Sequence, residues 1–345
     1  MELKIHNIHH YHGKFYYGIP QYFIQKYGTK AETILDPFCG SGTTLVEAAV
    51  SDKKSIGVDI NFLSCKISEA KVANVNLNKL NTYFSLIMNS NNFSDIDFTD
   101  SNDWFTVENY NKLCKIKNGI DMINDKKYKN IFEVILSSIL KTTCNKRKVW
   151  NNAFIGDNLL PNLPSKQDLE KVFINKYNKF VEAYIEFNEY KKQSPKIIKS
   201  NILDYKPRKL FDMIITSPPY PFAVDFAKYN RLSYYLFHEN LEEAVENETG
   251  ARSKRSKKNC VEEFFTEIEK LYLHIMKLVK KGGYACMTVG NTHRNNKNIE
   301  FVEWLIELFK HNGWELVENT ERELKKQSMP QKRIPTEHIL VFRRY

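Results

Sequence analysis

Residues 33–44 read Thr-Ile-Leu-Asp-Pro-Phe-Cys-Gly-Ser-Gly-Thr-Thr, and the fold follows from how this stretch is read. Ile34 and Leu35 close a short apolar run that predicts a buried strand. Gly40 and Gly42 permit a tight turn and a close approach of the backbone to a ligand. From Thr44 the pattern turns helical, with Leu45, Val46, Ala48 and Ala49 among small and polar residues. Strand, glycine-rich turn and helix open a nucleotide-binding βαβ unit. Lys54–Ile60 then predicts a second strand carrying Asp59, about 20 residues past the turn, where an acid commonly binds ribose hydroxyls.

Composition bounds the rest. A chain of 345 residues accommodates one large α/β domain with an insertion, or two domains. Its 51 Lys and Arg against 41 Asp and Glu leave a net charge of +10, which suits a polyanionic partner. No apolar run is long enough to span a bilayer, and Met1–Tyr11 is polar and His-rich, unlike a signal peptide. The six cysteines, at 39, 65, 114, 144, 260 and 286, form no Cys-x-x-Cys pair. They read as reduced thiols of a cytoplasmic protein, neither a disulfide framework nor a zinc site. His6, His9, His10 and His12 have no Cys or carboxylate among them, so no metal is expected there. They read as a polar approach to a first helix over Pro20–Tyr27.

After Asn61 a helix runs through Cys65, Ile67, Ala70 and Val72. Residues 78–195 then show helical spacing without strand alternation, as in Ile131, Val134, Ile135 and Ile139, or Phe173, Phe180, Tyr184 and Phe187. They are expected to form a helical insertion whose aromatic stripes are core. Its acidic loop, Asn91–Asp103, is a poor phosphate contact, and Lys146-Arg147-Lys148 a better one. The sheet resumes with a third strand over 196–205, ending at Asp204, and a fourth over Phe211–Tyr220, running into Ser217-Pro218-Pro219-Tyr220.

That tetrapeptide resembles the second signature of the amino-group DNA methyltransferases, and its residue types suit the methylation of an exocyclic base amine that the resemblance implies. Such a nitrogen is a poor nucleophile because its lone pair is delocalised into the ring. An acceptor on Ser217 and a backbone carbonyl near Pro218 can hold its two N–H bonds and favour a pyramidal nitrogen. The prolines keep the backbone extended and offer no competing donor. Tyr220 supplies a face on which a base taken out of the duplex can stack. Beyond it, Arg252, Lys254, Arg255, Lys257 and Lys258 follow a run of aromatics and are candidates for DNA phosphate contact. An amphipathic helix over Val261–Val279, a fifth strand over Tyr284–Val289, a helix over Phe301–Phe309, and an antiparallel pair, Trp314–Leu324 with His338–Phe342, complete the chain. Lys325, Lys326, Lys332 and Arg333 lie in the linker of that pair.

Asp-Pro-Phe-Cys-Gly-Ser-Gly-Thr-Thr and Ser-Pro-Pro-Tyr together resemble the two signatures of the amino-group DNA methyltransferases, which methylate cytosine N4 or adenine N6 with S-adenosyl-L-methionine (AdoMet). The resemblance covers roughly residues 9–77 and 196–345. It implies a Rossmann-like α/β fold with a mostly parallel sheet and an antiparallel C-terminal strand. The catalytic domain would be 1–77 with 196–345, and 78–195 an insertion available for target recognition. The resemblance also implies AdoMet contacts from Asp36, Phe38, Cys39, Gly40, Ser41, Gly42, Thr43, Asp59, Asn61 and Asp204. Lys14 and Phe15, in the segment His12-Gly13-Lys14-Phe15, would lie near the cofactor's methionine end. Ser217, Pro218, Pro219 and Tyr220 would hold the base and perform the transfer.

Ser at the first position of the second signature resembles the cytosine-N4 members, although many of those carry the two signatures in the reverse order. Adenine-N6 methylation is the nearest alternative. RNA guanine-N2 methyltransferases share similar motifs but usually have Asp or Asn where Ser217 stands and carry a further N-terminal domain. C5-cytosine chemistry is excluded, because no cysteine follows a proline. Leu45 breaks the Gly-x-Gly-x-x-Gly pattern of a nicotinamide dehydrogenase. A DNA-binding module with a vestigial cofactor fold is the reading of another class, and both intact motifs argue against it. The expected partners are double-stranded DNA and a cognate restriction endonuclease acting on the same site.

Overall fold

The computed structural model describes residues 1–93, 96, 104–146, 163–256, 258–294, 297–323 and 336–345. Arg147, Lys148, Lys257, most of the Asn91–Asp103 loop and the cations of the final linker lie outside them. The chain divides into two units.

The first is built on a seven-stranded sheet and comprises His12–Ser68, Lys191–Phe226 and Ala244–Tyr345. Its strands are β1 (Thr33–Asp36), β2 (Lys54–Asp59), β3 (Lys196–Lys199), β4 (Phe211–Thr216), β5 (Val279–Val289), β8 (Trp314–Glu323) and β9 (Thr336–Arg344), in the order β3-β2-β1-β4-β5-β9-β8. β3 to β5 pair in parallel, whereas β9 runs antiparallel to both β5 and β8. Strand order therefore reverses at β1, which pairs with β2 on one side and β4 on the other, and such a switch point is where open α/β sheets bind ligands. A two-stranded ribbon, β6 (Thr292–Arg294) with β7 (Lys297–Ile299), follows β5 and has no signal in the sequence.

Both sheet faces are covered, as a parallel sheet requires. On one face α1 (Gly18–Lys26) and α2 (Thr43–Val50) pack Ile19, Phe23 and Ala48 against Ile34, Met213, Ile215 and Cys286. On the other, α11 (Cys260–Lys277) and α12 (Phe301–His311) pack Phe264, Ile268, Leu305 and Phe309 against Leu35, Val58, Ile214 and Met287.

Three strand limits differ from expectation for local reasons. β3 stops at Lys199 because Asn201 accepts a bond from the Leu203 amide (3.0 Å) and caps a short 3-10 turn, Ile202–Asp204. β4 stops at Thr216 because Pro218 and Pro219 have no N–H for a ladder. β5 begins at Val279 rather than Tyr284, absorbing Lys280–Gly283 as an irregularity opposite Phe211 and Met213.

The second unit comprises Met1–Tyr11, Glu69–Tyr190 and Ala227–Glu243. Its main helices are α4 (Leu77–Met88), α5 (Val107–Asp121), α6 (Lys126–Thr143) and α7 (Leu169–Tyr190), with α3 (Phe62–Val72) entering it, α8 (Phe226–Tyr229) and α9 (Arg231–Leu236) added from later in the chain, and α10 (Leu241–Asn247) leaving it after Glu243. Ile131, Val134, Ile135, Phe173, Phe180 and Phe187 are buried, and the Phe84 and Tyr177 rings stack at 3.8 Å between centroids.

The N-terminal histidines are not a merely polar approach. Ile5, His6 and Ile8 are buried, and the buried His9 shares a proton with Ser137 Oγ (3.0 Å), itself bonded to Ser233 Oγ (2.8 Å). Burial lowers His9 to about 3, so it is a neutral hydrogen-bonding group. Among the described residues, no group of three or more His, Cys, Asp and Glu could hold a metal, and no helix is long and apolar enough to cross a membrane. The six cysteines are buried and free.

Candidate active site

Asp36, the last residue of β1, carries the connection between the two sequence signatures. Its buried carboxylate accepts a hydrogen bond from Thr216 Oγ (2.7 Å), the last residue of β4, and from the Phe38 amide (3.2 Å). One side chain thus pins the glycine-rich turn beside the residue that immediately precedes Ser217. Thr44, at the start of α2, donates to the Ile215 carbonyl of β4 (3.4 Å).

The turn is tied to β2 as well. Asp59 accepts from the Gly40 amide (2.8 Å) through one oxygen and from the Asn61 amide (2.8 Å) through the other. Ser68 donates to the Gly40 carbonyl (2.7 Å), and the Cys39 amide donates to the Val58 carbonyl (3.1 Å). Gly42 has φ of +75°, and a Cβ there would lie 2.8 Å from Ser68 Oγ and 3.1 Å from its Cα. Gly57, inside β2, has no Cβ for a different reason: one would sit 2.7 Å from Leu45 Cδ1 and 2.8 Å from Cys39 Cβ. The turn lies directly against the strand.

The other predicted cofactor residues fall into distinct roles. Ser41 and Thr43 are buried at the N-terminus of α2, where backbone amides and the helix dipole favour an anion. Thr43 Oγ is buried without a hydrogen-bond partner among the described residues. The Asn61 side chain caps α3, accepting from Leu63 (2.9 Å) and Ser64 (3.2 Å). Cys39 is packed away from solvent, and burial pushes its thiol up. Asp204 ends its 3-10 turn exposed, while Phe15 packs against the α1 face of the sheet. Lys14 is half-buried in the segment before α1.

In the second signature, Pro218 is buried and Ser217, Pro219 and Tyr220 are half-buried. The Tyr220 hydroxyl lies 3.1 Å from both the Thr288 carbonyl and Glu337 Oε1. Phe222 follows in the left-handed region, at φ of +56°, which is costly for a bulky residue. The surroundings hold it there: its amide donates to the Gly250 carbonyl (2.8 Å), and its ring packs on Phe264 at 5.8 Å. The Arg252 amide bonds to the Val224 carbonyl (3.3 Å), and the Ser253 amide to Asp225 (2.7 Å). Tertiary contacts therefore bring the basic turn Arg252–Ser256 to the loop after Tyr220. Arg252, Lys254 and Arg255 are all half-buried, and Lys254 Nζ is bonded to the Glu246 carbonyl (2.7 Å). Thr216, Ser68, Gly57 and Glu337 were missed by sequence reasoning. Only Gly57 carried a signal, a glycine inside an apolar strand.

A parallel five-strand core with a glycine-rich turn after β1, an acid ending β2 and an antiparallel closing pair defines a Rossmann-like methyltransferase fold. Residues 4–70 match a family model of N6 and N4 methyltransferases described as DNA methylase. The chain is 36% identical over 136 residues to the Type II methyltransferase M.MjaII of Methanocaldococcus jannaschii, covering 35% of this chain and 26% of that protein. It is 28% identical over 250 residues to M.MvaI of Kocuria varians, covering 61% of this chain and 51% of that protein. The matched region thus spans about half the length of these relatives or less. A solved structure of a putative RNA methyltransferase from Pyrococcus horikoshii aligns over 95% of this chain and 83% of its own, at 7% identity and a TM-score of 0.36, too low to add to the strand order. The sequence matches support an amino-methyltransferase family for this chain.

AdoMet is the cofactor of that family, and the site fits it. An orphaned hydroxyl at a helix N-terminus and two carboxylates beside the glycine turn suit a ligand carrying an α-carboxylate, cationic centres and ribose hydroxyls.

Burial raises Asp36 to about 7 and Asp59 to about 6, each from 3.8. Raised folded values mean that these groups stabilise the free protein fully below about 4 and lose that contribution as pH rises through 6 to 7. A cationic ligand favours the ionised carboxylates, so binding expels protons. AdoMet affinity is therefore expected to increase from about pH 5.5 to about pH 7.5, with proton release visible by calorimetry in buffers of different ionisation enthalpy. Affinity that falls over this range would refute the role of the two carboxylates.

Proposed function

We propose that this chain is a DNA methyltransferase that methylates the exocyclic N4 amine of a flipped cytosine, as the modification enzyme of a restriction-modification system. The observation that carries the reading is the Asp36–Thr216 bond, which sets the glycine-rich turn and Ser217-Pro218-Pro219-Tyr220 at the ends of adjacent parallel strands. AdoMet, when bound, supplies an electrophilic methyl group on a sulfonium.

Ser217 Oγ and a backbone carbonyl near Pro218 accept the two amine N–H bonds, which frees the nitrogen lone pair for attack. The amine then carries positive charge, and one of these acceptors or water takes its extra proton. Tyr220 stacks the flipped base. No metal enters this scheme.

Charge partition supports where the duplex is held. The sheet unit contains 32 Lys and Arg against 22 Asp and Glu, whereas the helical unit balances at 19 of each, so the whole net charge of +10 belongs to the sheet unit. Arg252, Lys254 and Arg255, joined to the loop after Tyr220, are the proposed phosphate contacts. The names of the relatives, Type II methyltransferases, support the restriction-modification context and a nuclease sharing the site.

The test is direct. Purified protein, AdoMet and mixed-sequence duplex DNA are incubated, the DNA is digested to nucleosides, and the methylated one is identified by mass spectrometry. N4-methylcytosine is expected. N6-methyladenine would overturn the choice of base and keep the chemistry. Methylation confined to RNA would overturn the DNA reading.

A further inference from the structure

The ribbon of β6 and β7 leaves the sheet at the end that carries the candidate active site. β4 and β5 run in parallel with Met287 level with Thr216, so Thr288 and Val289 extend past the strand end from which Ser217 follows. Thr288 is the residue whose carbonyl meets the Tyr220 hydroxyl (3.1 Å), and β6 begins four residues on, at Thr292. The root of the ribbon is held firmly. Asn291 accepts from the Val302 amide (2.9 Å) and donates to Glu303 Oε2 (3.0 Å). Thr292 and Ile299, directly opposite each other in register, are both buried, and Ile299 packs in the same core as Leu305 and Phe309.

Beyond that buried pair the ribbon changes character. Its remaining strand residues pair His293 with Asn298 and Arg294 with Lys297, and Asn298 is exposed. The run Thr292–Ile299 contains no carboxylate and, before Ile299, no apolar residue, whereas protein surfaces ordinarily intersperse both signs of charge. A brace for the following helix would gain nothing from this composition. A polyanion whose edges carry hydrogen-bonding groups would. The major groove of duplex DNA, about 12 Å wide, admits a two-stranded ribbon, and Asn can bond adenine N6 and N7 together. Resting on the reading of this chain as a DNA methyltransferase, we propose that the β6–β7 ribbon enters the major groove beside the extruded base and reads part of the recognition sequence. His293 and Asn298 meet base edges, and Arg294 and Lys297 meet the flanking phosphates. β5 then carries the contact to Tyr220 and the reading element four residues apart, which ties the base that is methylated to the sequence around it.

The test uses the full chain, AdoMet and a library of random-sequence duplexes, with the methylated positions mapped by single-molecule sequencing. The wild type defines the site. His293→Ala combined with Asn298→Ala is expected to relax it at one or two base pairs, raising methylation of singly mismatched duplexes about tenfold relative to the intact site. Arg294→Gln combined with Lys297→Gln should keep the site and weaken DNA binding at every sequence, lowering the slope of log affinity against log salt by about 2. Lys281→Gln, which removes an exposed cation near the start of β5, should change neither. AdoMet affinity should stay at the wild-type value throughout, which separates loss of reading from loss of fold.

An unchanged site profile in the His293→Ala, Asn298→Ala variant would overturn the proposal, whatever its effect on affinity. If that variant does not fold, the profile of Asn298→Ala alone decides in the same way, because Asn298 is exposed and its truncation leaves the root intact. A wild type that methylates no DNA amine would instead sink the underlying reading, so the two failures are distinct.

Discussion

Ser217→Ala is expected to lower the rate of methyl transfer by about 10²- to 10³-fold, the usual cost of removing one preorganised partner at a reacting centre. The alanine keeps the backbone and both prolines, and Ser217 is not part of the Asp36–Thr216 clamp. The glycine-rich turn should therefore be undisturbed, and AdoMet affinity unchanged by calorimetry. The loss should appear in kcat, because the hydroxyl is asked to stabilise a pyramidal amine that exists only on the way to the transition state. A variant that transfers methyl within about tenfold of the wild-type rate would remove Ser217 from the chemistry. One that also loses AdoMet would show instead that the substitution disturbs the turn.

Gly57→Ala should be nearly as damaging by another route. Its new methyl would come within 2.9 Å of Leu45 Cδ1, Cys39 Cβ and Cys39 Sγ together. Cys39 cannot give way easily: its amide is tied to the Val58 carbonyl, and the next residue's amide is held by Asp59. Overpacking of this kind costs about 1–3 kcal/mol, a fall of roughly 2–10 °C in Tm for a domain of this size. The displaced turn should weaken AdoMet binding by more than tenfold, far beyond the stability loss felt at a distant core site. A matched control, Ala48→Gly in α2, should lower Tm without a comparable effect on affinity. Equal loss of affinity in both would show that Gly57 matters only for stability.

The fold was legible wherever the sequence changed period beside a residue with a special backbone. Thr33–Asp36, the glycines at 40 and 42 and the helix from Thr43 follow one another as expected. The stripes of 78–195 proved to be core for the same reason, since a helix has one fixed spacing with which to bury a face. Boundaries were less legible. β3 and β4 end early because Asn201 captures an amide and because two prolines cannot pair, effects of a single residue that periodicity averages away.

Contacts between residues distant in the chain were not legible at all. Asp36 reads as a cofactor ligand, yet in the folded chain it bonds Thr216, 180 positions away, and joins the two signatures. Nothing in the run Arg322–Glu337 announces a contact with Tyr220; only the register of an antiparallel pair, and the placing of its inner strand beside β5, brings Glu337 to it. Likewise Met1–Tyr11 and Ala227–Glu243 join the helical unit through packing alone. The sequence by itself determined the order along the chain of the seven strands of the main sheet, the glycine turn and the acid at Asp59, because each is local and set by backbone freedom or side-chain type. Only the tertiary structure decided that Asp36 clamps two strands, that Asn61 caps a helix and that Glu337 meets Tyr220. Those roles depend on distances of about 3 Å between strands that the chain brings together after long excursions.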